Sequence, residues 1–421
     1  MSFQQGLSGL NATSKNLQVI GNNIANANTF GSKSARAEFS DMYANALSGG
    51  PTSNIGIGTN IAAVTQQFTQ GTIKTTERSM DLAINGGGFF QVTDGKSPVT
   101  FSRNGQFNAD REGFIVNNAQ QKLMGYAADA KGQILVGQAA PLQLPTGSVA
   151  PNLTTEVAFD MNLPSRGAVT VPATGPQIDY NDPDTYNHAT SVTAFDAKGE
   201  EVVLGYFFQK TAIDTWDVYA TANGDTIGGA AGAPLPITTI QFAADGSAPI
   251  SPAGPVSFTV PATVNATTGV TTLAINNVML DLGNATQFAS AYGITHASQD
   301  GFGSGKLTEI AVEANGIITA HYSNNQTRPV GQVELANFRN PQGLQPIGDN
   351  AWSRTFASGD PVMGVPGDGN LGVLNAGALE ESNVDLTGEL VNMIVAQRFY
   401  QANAQTIKTE DQILQTLVNI R

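Results

Sequence analysis

The sequence predicts a multidomain α+β protein, with coiled-coil-like α-helices at the two chain ends, paired at one end of the molecule, and two nested, mostly antiparallel β domains between them. Three observations predict it. Apolar residues recur with a heptad period at both ends of the 421-residue chain. The stretch between them is glycine-rich, alternates with a period of two and is punctuated by hairpin turn residues. Its strand character also halts at a Pro and Gly cluster near residue 145 and resumes past residue 303, the order expected when one β domain is inserted into another.

At the N-terminus Phe3, Leu7, Leu10, Leu17 and Ile24 follow a four-then-three spacing, with Ser14 and Gly21 as small members of the same stripe. A helix is predicted over residues 2–27, about 38 Å long, broken by Asn28, Thr29 and Gly31. At the C-terminus Leu386, Leu390, Met393, Tyr400, Ala404, Ile407, Leu414 and Val418 repeat the pattern, interrupted by Gln397 and Asp411. This second helix begins near Asp385, with Asn383 or Asp385 as N-cap and Glu389 in the first turn. An amphipathic helix must cover its stripe, and neither end has a neighbouring helix in sequence to do so. The cover is expected from the opposite end or from other copies of the chain, so these apolar positions are the candidate assembly interface.

Residues 31–70, with Phe39, Tyr43, Gly49, Gly50, Pro51, Gly56 and Gly58, read as a linker of extended structure. From Gly71 the alternation of Ile73, Thr75, Leu82, Ile84, Phe89, Phe90 and Val92 begins an inner β domain, and 114–116 with 123–126 form a hairpin about Asn117-Asn118. Pro141, Pro145, Gly147 and Pro151 mark its interruption. The inserted block, residues 146–302, carries a hairpin of 192–196 and 202–208 about Lys198-Gly199, a strand at 216–219 and another at 271–275, and suggests a sandwich or barrel. Strands 307–312, 317–322 and 330–338, turning at Asn315-Gly316 and Asn324-Asn325, return the chain to the inner domain. The expected organisation is a helical domain of 1–30 with 380–421, linkers at 31–70 and 371–379, an inner β domain of 71–145 with 303–370, and an outer one of 146–302.

Composition narrows the function. A net charge of −14 with only 13% charged residues argues against nucleic acid or an anionic membrane as partner, since both require clustered Lys and Arg. No apolar run reaches the length of a membrane span, so no membrane insertion is expected, and residues 1–10 lack the basic and apolar regions of a cleavable secretory signal. Cysteine is absent, which removes disulfides, thiolate nucleophiles and zinc–thiolate sites, and suits passage unfolded through a narrow export channel.

Motifs that carry chemistry fail in context. Gly367, Gly369 and Gly372 match a dinucleotide fingerprint, but no strand leads in and no helix follows. The run 301–306 resembles a phosphate loop, yet Asp300 replaces its first glycine and Leu307 its metal-binding hydroxyl residue. His188, His296 and His321 lack metal spacing, Asp179, Asp182 and Asp184 lack the glycine and distal Glu of a calcium loop, and the adjacent pairs Glu200-Glu201 and Glu380-Glu381 point to opposite strand faces. No catalytic, cofactor-binding or metal-ligating residue is nominated, no cofactor is implied, and an enzyme is not expected.

The segment 21–31, beginning Gly21, Asn22, Asn23, Ile24, Ala25 and Asn26, resembles the N-terminal motif of bacterial flagellar rod and hook axial proteins. Residues 382–404 resemble the family's C-terminal motif, and 101–105 and 348–352 resemble stretches of its first β domain. Ser32 departs from the pattern, standing where many relatives carry an aromatic before the lysine matching Lys33. The large insertion is similar to hook members of the family rather than to shorter distal rod members. The resemblance implies a structural subunit that self-assembles into a curved, flexible tube outside the cell envelope and passes motor torque to the filament. It further implies type III export, assembly beneath a hook cap protein, and contacts with a rod protein and hook–filament junction proteins. The alternatives are a distal rod protein and a secreted β-rich adhesin or carbohydrate-binding oligomer.

Overall fold

The computed structural model describes residues 2–42, 56–129, 132–172, 177–230, 232–265 and 268–419; Tyr43, Gly49, Gly50 and Pro51 lie outside the described residues. Two long helices, α1 (Ser2–Ala25) and α2 (Leu386–Asn419), bracket a chain of short, mostly antiparallel strands. Two compact units result. One joins 1–146 to 308–321 and 327–421, and the other is the stretch 147–307 with 322–326.

In the first unit, α1 and α2 pack together, and β1 (Ala35–Met42) and β2 (Gly58–Gln66) form an antiparallel hairpin against α1. The linker of extended structure expected at 31–70 thus contains a paired hairpin over 35–66. The Ser8 hydroxyl accepts from Thr59 N (3.3 Å), and Asn23 binds Ala35, so polar side chains of α1 hold both ends of the hairpin. The connector expected at 371–379 is also paired. Strand Val373–Ala376 joins Leu82–Asn85, and Ala378–Glu380 joins Ile73–Thr75, because Leu374, Ala378 and Leu379 are apolar groups that the unit buries.

The β part of this unit is a large sheet running through strands Leu307–Val312, Ile317–Tyr322, Thr327–Val333, Lys122–Ala127, Phe89–Thr93, Thr100–Ser102, Ala351–Ser353 and Gln345–Gly348. Strand Phe89–Thr93 is buried on both faces, which accounts for the adjacent Phe89 and Phe90 within its alternation. Successive side chains alternate across it. Phe90 enters a core with Ile84, Phe107, Leu123 and Val333, while Phe89 joins Phe101, Phe338 and Trp352 on the other side. That second cluster is built from edge-to-face rings, with Phe101 and Phe338 centroids 4.7 Å apart.

The second unit sets a four-stranded sheet (Val256–Val260, Ile275–Asp281, Glu156–Asn162 and Gly293–Gln299) and a six-stranded one containing His188–Phe195, Glu201–Ala212 and Thr215–Ala222 about one core. The alternation of Val202, Leu204, Tyr206 and Phe208 points inward from one sheet, and that of Val157, Phe159 and Met161 from the other. Trp216 lies fully buried between them. The pairing of 156–158 with 279–281 is parallel, an exception to the antiparallel pattern. The strand expected at 271–275 instead begins at Ile275. Thr272 is turned inward, its amide and hydroxyl both bonding Thr263 O (2.9 and 3.1 Å), which holds the preceding residues in a loop.

Candidate assembly surface on the terminal helices

α1 and α2 run antiparallel. Asn23 Nδ2 donates to Glu389 Oε1 (3.3 Å) near the end of α1, Gly9 lies against Asn403, and Gly6 lies against Ile407. On this register Ser2 stands opposite about residue 410, and α2 runs on beyond it for roughly two turns. Residues 411–416 of that extension are all exposed.

The stripe of α1 that meets α2 is Gly6, Gly9, Asn16, Ile20 and Asn23, one position away from the apolar stripe nominated from sequence. A Cβ on Gly9 would stand 2.9 Å from the Asn403 amide atoms, and one on Gly6 3.0 Å from Ile407, so small residues set the helix separation. Gly9→Val is expected to force the helices apart and reduce the α-helical protection of both segments, measured by hydrogen exchange of α2 amides near Asn403. Unchanged exchange would show that Asn403 swings away without cost.

The nominated residues are placed as follows. On α1, Phe3 and Leu7 are exposed, and Leu10, Leu17 and Ile24 are partly buried. On α2, Leu386, Leu390, Tyr400 and Leu414 are exposed, Met393 and Ile407 are partly buried, and Val418 lies in the helix with its side chain outside the described residues. With Val391, Ile394, Val395, Phe399 and Ile413 they leave α2 with apolar side chains exposed along most of its length. Ala396 is the only α2 residue buried to below a tenth of its area among the described side chains, at 2%.

The motif 21–26 does local work. Asn23 is buried, accepting from Ala35 N and donating to Ala35 O (both 2.8 Å) while also reaching Glu389, so one amide ties α1, β1 and α2 together. Asn26 Nδ2 donates to Asn22 O (2.9 Å) and closes the last turn of α1. Asn22 and Ala25 are exposed, Gly21 and Ile24 are partly buried, and a Cβ on Gly21 would meet nothing within 4 Å. Asn23→Ala leaves the Ala35 groups and the Glu389 carboxylate unpaired and is expected to destabilise the junction by about 1–3 kcal/mol. Faster exchange of the Ala35 amide would register it, and an unchanged rate would deny the tie.

Where the helices join the β part, sequence reasoning missed a buried ion cluster. Lys33 Nζ lies 2.7 Å from Glu380 Oε1, and Arg103 Nη1 lies 3.2 Å from Glu380 Oε2, with the side chains of Lys33 and Glu380 wholly inaccessible. Gly71 N donates to Glu380 Oε1 (2.9 Å), Lys33 also donates to Thr69 O, and Arg103 donates to Gly86 O. Two cations thus share one carboxylate out of water. Burial pushes the Lys33 ammonium below its usual value, partly offset by Glu380 and reinforced by Arg103. Beside the cluster Asn383, a candidate cap, accepts from Ser34 N (2.7 Å) and donates to Gln67 O (2.7 Å), while Asp385 caps α2 by accepting from Thr387 N (3.0 Å). Gly31, at φ +71°, donates its N–H to Glu380 O (2.8 Å); a Cβ there would come within 2.5 Å of Asn104 N.

Comparison with known proteins agrees across the chain. Residues 3–33 match the flagella basal body rod protein model, 83–175 the flagellar hook protein FlgE/F/G D1 domain, 162–302 the flagellar basal body protein FlaE D2 domain, and 375–420 the flagellar basal body rod FlgEFG protein C-terminal model. The flagellar hook protein FlgE of Salmonella typhimurium is 42% identical, with all of both chains covered. That of Escherichia coli K12 is 41% identical over all of both chains, and that of Borreliella burgdorferi 31% over all of this chain and 99% of its own. The crystal structure of Helicobacter pylori flagellar hook protein FlgE2 aligns with a TM-score of 0.54 at 15% identity, covering 73% of this chain and 99% of that one, a likeness of fold.

Proposed function

We propose that this chain, which belongs to the family of flagellar hook proteins, is the repeating subunit of the hook and polymerises through the outward stripes of its terminal helices. The observation that carries the mechanism is the exposed apolar length of α2, from Leu386 to Leu414, on a helix whose contact with α1 is made largely by small and polar residues. Burying such stripes between copies contributes about 25 cal/mol per Å² of apolar surface, repeated at every subunit. A contact between two different faces of one body repeats, and where its rotation does not close a ring it builds a helical assembly. On this reading the helices form the inner tube and resist twist, and the weakly charged β units lie outside, where polar contacts re-pair as the tube bends under rotation.

The subunit leaves the cell through the type III export apparatus, assembles beneath a hook cap protein, and meets a rod protein at one end of the tube and hook–filament junction proteins at the other. It works as a universal joint and performs no catalysis. The distal rod and adhesin alternatives are not favoured, since the full-length relatives are hook proteins. Immunogold electron microscopy of detergent-extracted basal bodies, with antibody against residues 152–302, tests the assignment. Label along a short curved segment outside the envelope is expected, whereas label confined to the rod, or none on the appendage, would overturn it.

A further inference from the structure

One side chain of the first unit has no packing role in the monomer. Phe356 sits at the tip of the loop 354–360 and is fully exposed, at 105% of its reference area. The loop holding it is not loose. Thr355 Oγ1 donates to Gly343 O (2.6 Å), Ala357 N and Ser358 N donate to Thr355 Oγ1, Ser358 Oγ donates to Thr355 O (2.9 Å), and Asn340 Nδ2 donates to Ala357 O (3.0 Å). At the loop's base Arg354 pairs with Asp360 at 2.8 Å. A phenyl ring fixed outward by its own backbone is an anchor without a pocket.

The same unit carries a pocket without an anchor. Strand Val362–Gly364 pairs on one side with Leu335–Asn337, and beside it lies an open groove of about 570 Å³. Its apolar lining is Phe338, Val362, Met363 and Leu371, with Val362 and Met363 exposed, and Arg339 and Asp368 stand in its wall. The groove is large enough for an aromatic side chain and the polar backbone beside it. Its wall thus carries one cation and one anion, as does the Arg354–Asp360 pair that flanks Phe356, so both sides offer charges of both signs.

We propose that Phe356 of one copy inserts into the Phe338–Met363–Leu371 groove of another. The occupant is a second copy of this chain because the ring, the groove and the charges of both signs beside each lie on one body, and Phe356 is fully exposed on its own. Every copy carries both knob and socket, so each can offer its ring to a neighbour and receive one. The inference rests on the polymer reading above and adds a specific contact between β parts to the one between helices.

The absence of cysteine allows a direct test. Two single-cysteine chains, Phe356→Cys and Met363→Cys, are mixed as minority components with the parent chain, assembled, and treated with a short bis-maleimide, since the span across a phenyl-sized groove exceeds what a disulfide tolerates. A covalent dimer is expected in the polymer and not among monomers at the same concentration. A mixture of Val136→Cys and Met363→Cys, the former at an exposed site elsewhere on the unit, should give none. If polymers form and the 356/363 mixture links no more than the 136/363 mixture, the contact is overturned while the polymer reading stands. If the parent chain forms no polymer, both fall. In parallel, Phe356→Ala should raise the concentration needed for assembly and Phe356→Trp should not; equal thresholds would also overturn the contact.

Discussion

Glu380→Gln is expected to loosen the junction between the helix pair and the β part by about 3–5 kcal/mol, the usual consequence of stripping the counterion from buried charge. Lys33 and Arg103 would then face each other in a dry site with only carbonyls to accept from them, because Glu380 is the carboxylate both contact. Lys33→Met should cost less, since it leaves Arg103 and Glu380 balanced one to one. The two tryptophans make the measurement tractable. Trp352 belongs to the first unit and Trp216 to the second, so urea unfolding followed by Trp352 fluorescence in a Trp216→Phe background reports the first alone. An equal loss from both substitutions would contradict the charge count. A pH dependence follows with a definite sign. The folded Lys33 pKa lies below the usual 10.5, so the unfolded chain binds more protons between the two values and this group's contribution rises with pH across that window. Lys33→Met should abolish that rise.

Leu414→Asp is expected to prevent assembly while leaving the monomer's stability within about 0.5 kcal/mol. Leu414 is 54% exposed and lies on the part of α2 that extends past α1, so its replacement disturbs no core. In a polymer the same side chain would be buried at every subunit. Losing a buried leucine forfeits about 1.5–3 kcal/mol, and desolvating a carboxylate adds to that. Because about 1.4 kcal/mol per contact shifts an association constant tenfold, the assembly threshold would move beyond reachable concentrations. Circular dichroism and sedimentation velocity separate the two effects. A variant that still builds normal hooks would remove α2 from the inner tube.

The fold class was legible because its signals are local. Heptad spacing marks α1 and α2, and turn residues such as Lys198-Gly199 and Asn315-Gly316 fall between the strands they were expected to join, with Gly199 and Gly316 at φ +80° and +82°. The pairing face of α1 was not legible, since a search for apolar periodicity passes over Gly6, Gly9, Asn16 and Asn23. Helices that approach closely use small residues and amides, which score as polar or neutral. The ion cluster was hidden for another reason. Lys33, Arg103 and Glu380 come from distant parts of the chain, and each alone reads as a surface charge. A faint signal lay in Glu380-Glu381, adjacent residues that must face opposite ways; Glu380 turns inward and Glu381 outward to Lys74 at 3.6 Å. Loop 354–360 gave no warning of its role, because an exposed phenylalanine is conspicuous only once its surroundings are known.

The most direct test of the central claim is the reactivity of a single thiol at Leu390→Cys, an outward position on α2 that is 46% exposed in the monomer. Maleimide labelling of the monomer should be fast, as for an unhindered thiol. In purified hooks assembled from the same variant, the account predicts that labelling is suppressed and returns when acid or heat depolymerises them. Equal rates in hook and monomer would place the outward face of α2 in solvent and contradict assembly through the terminal helices.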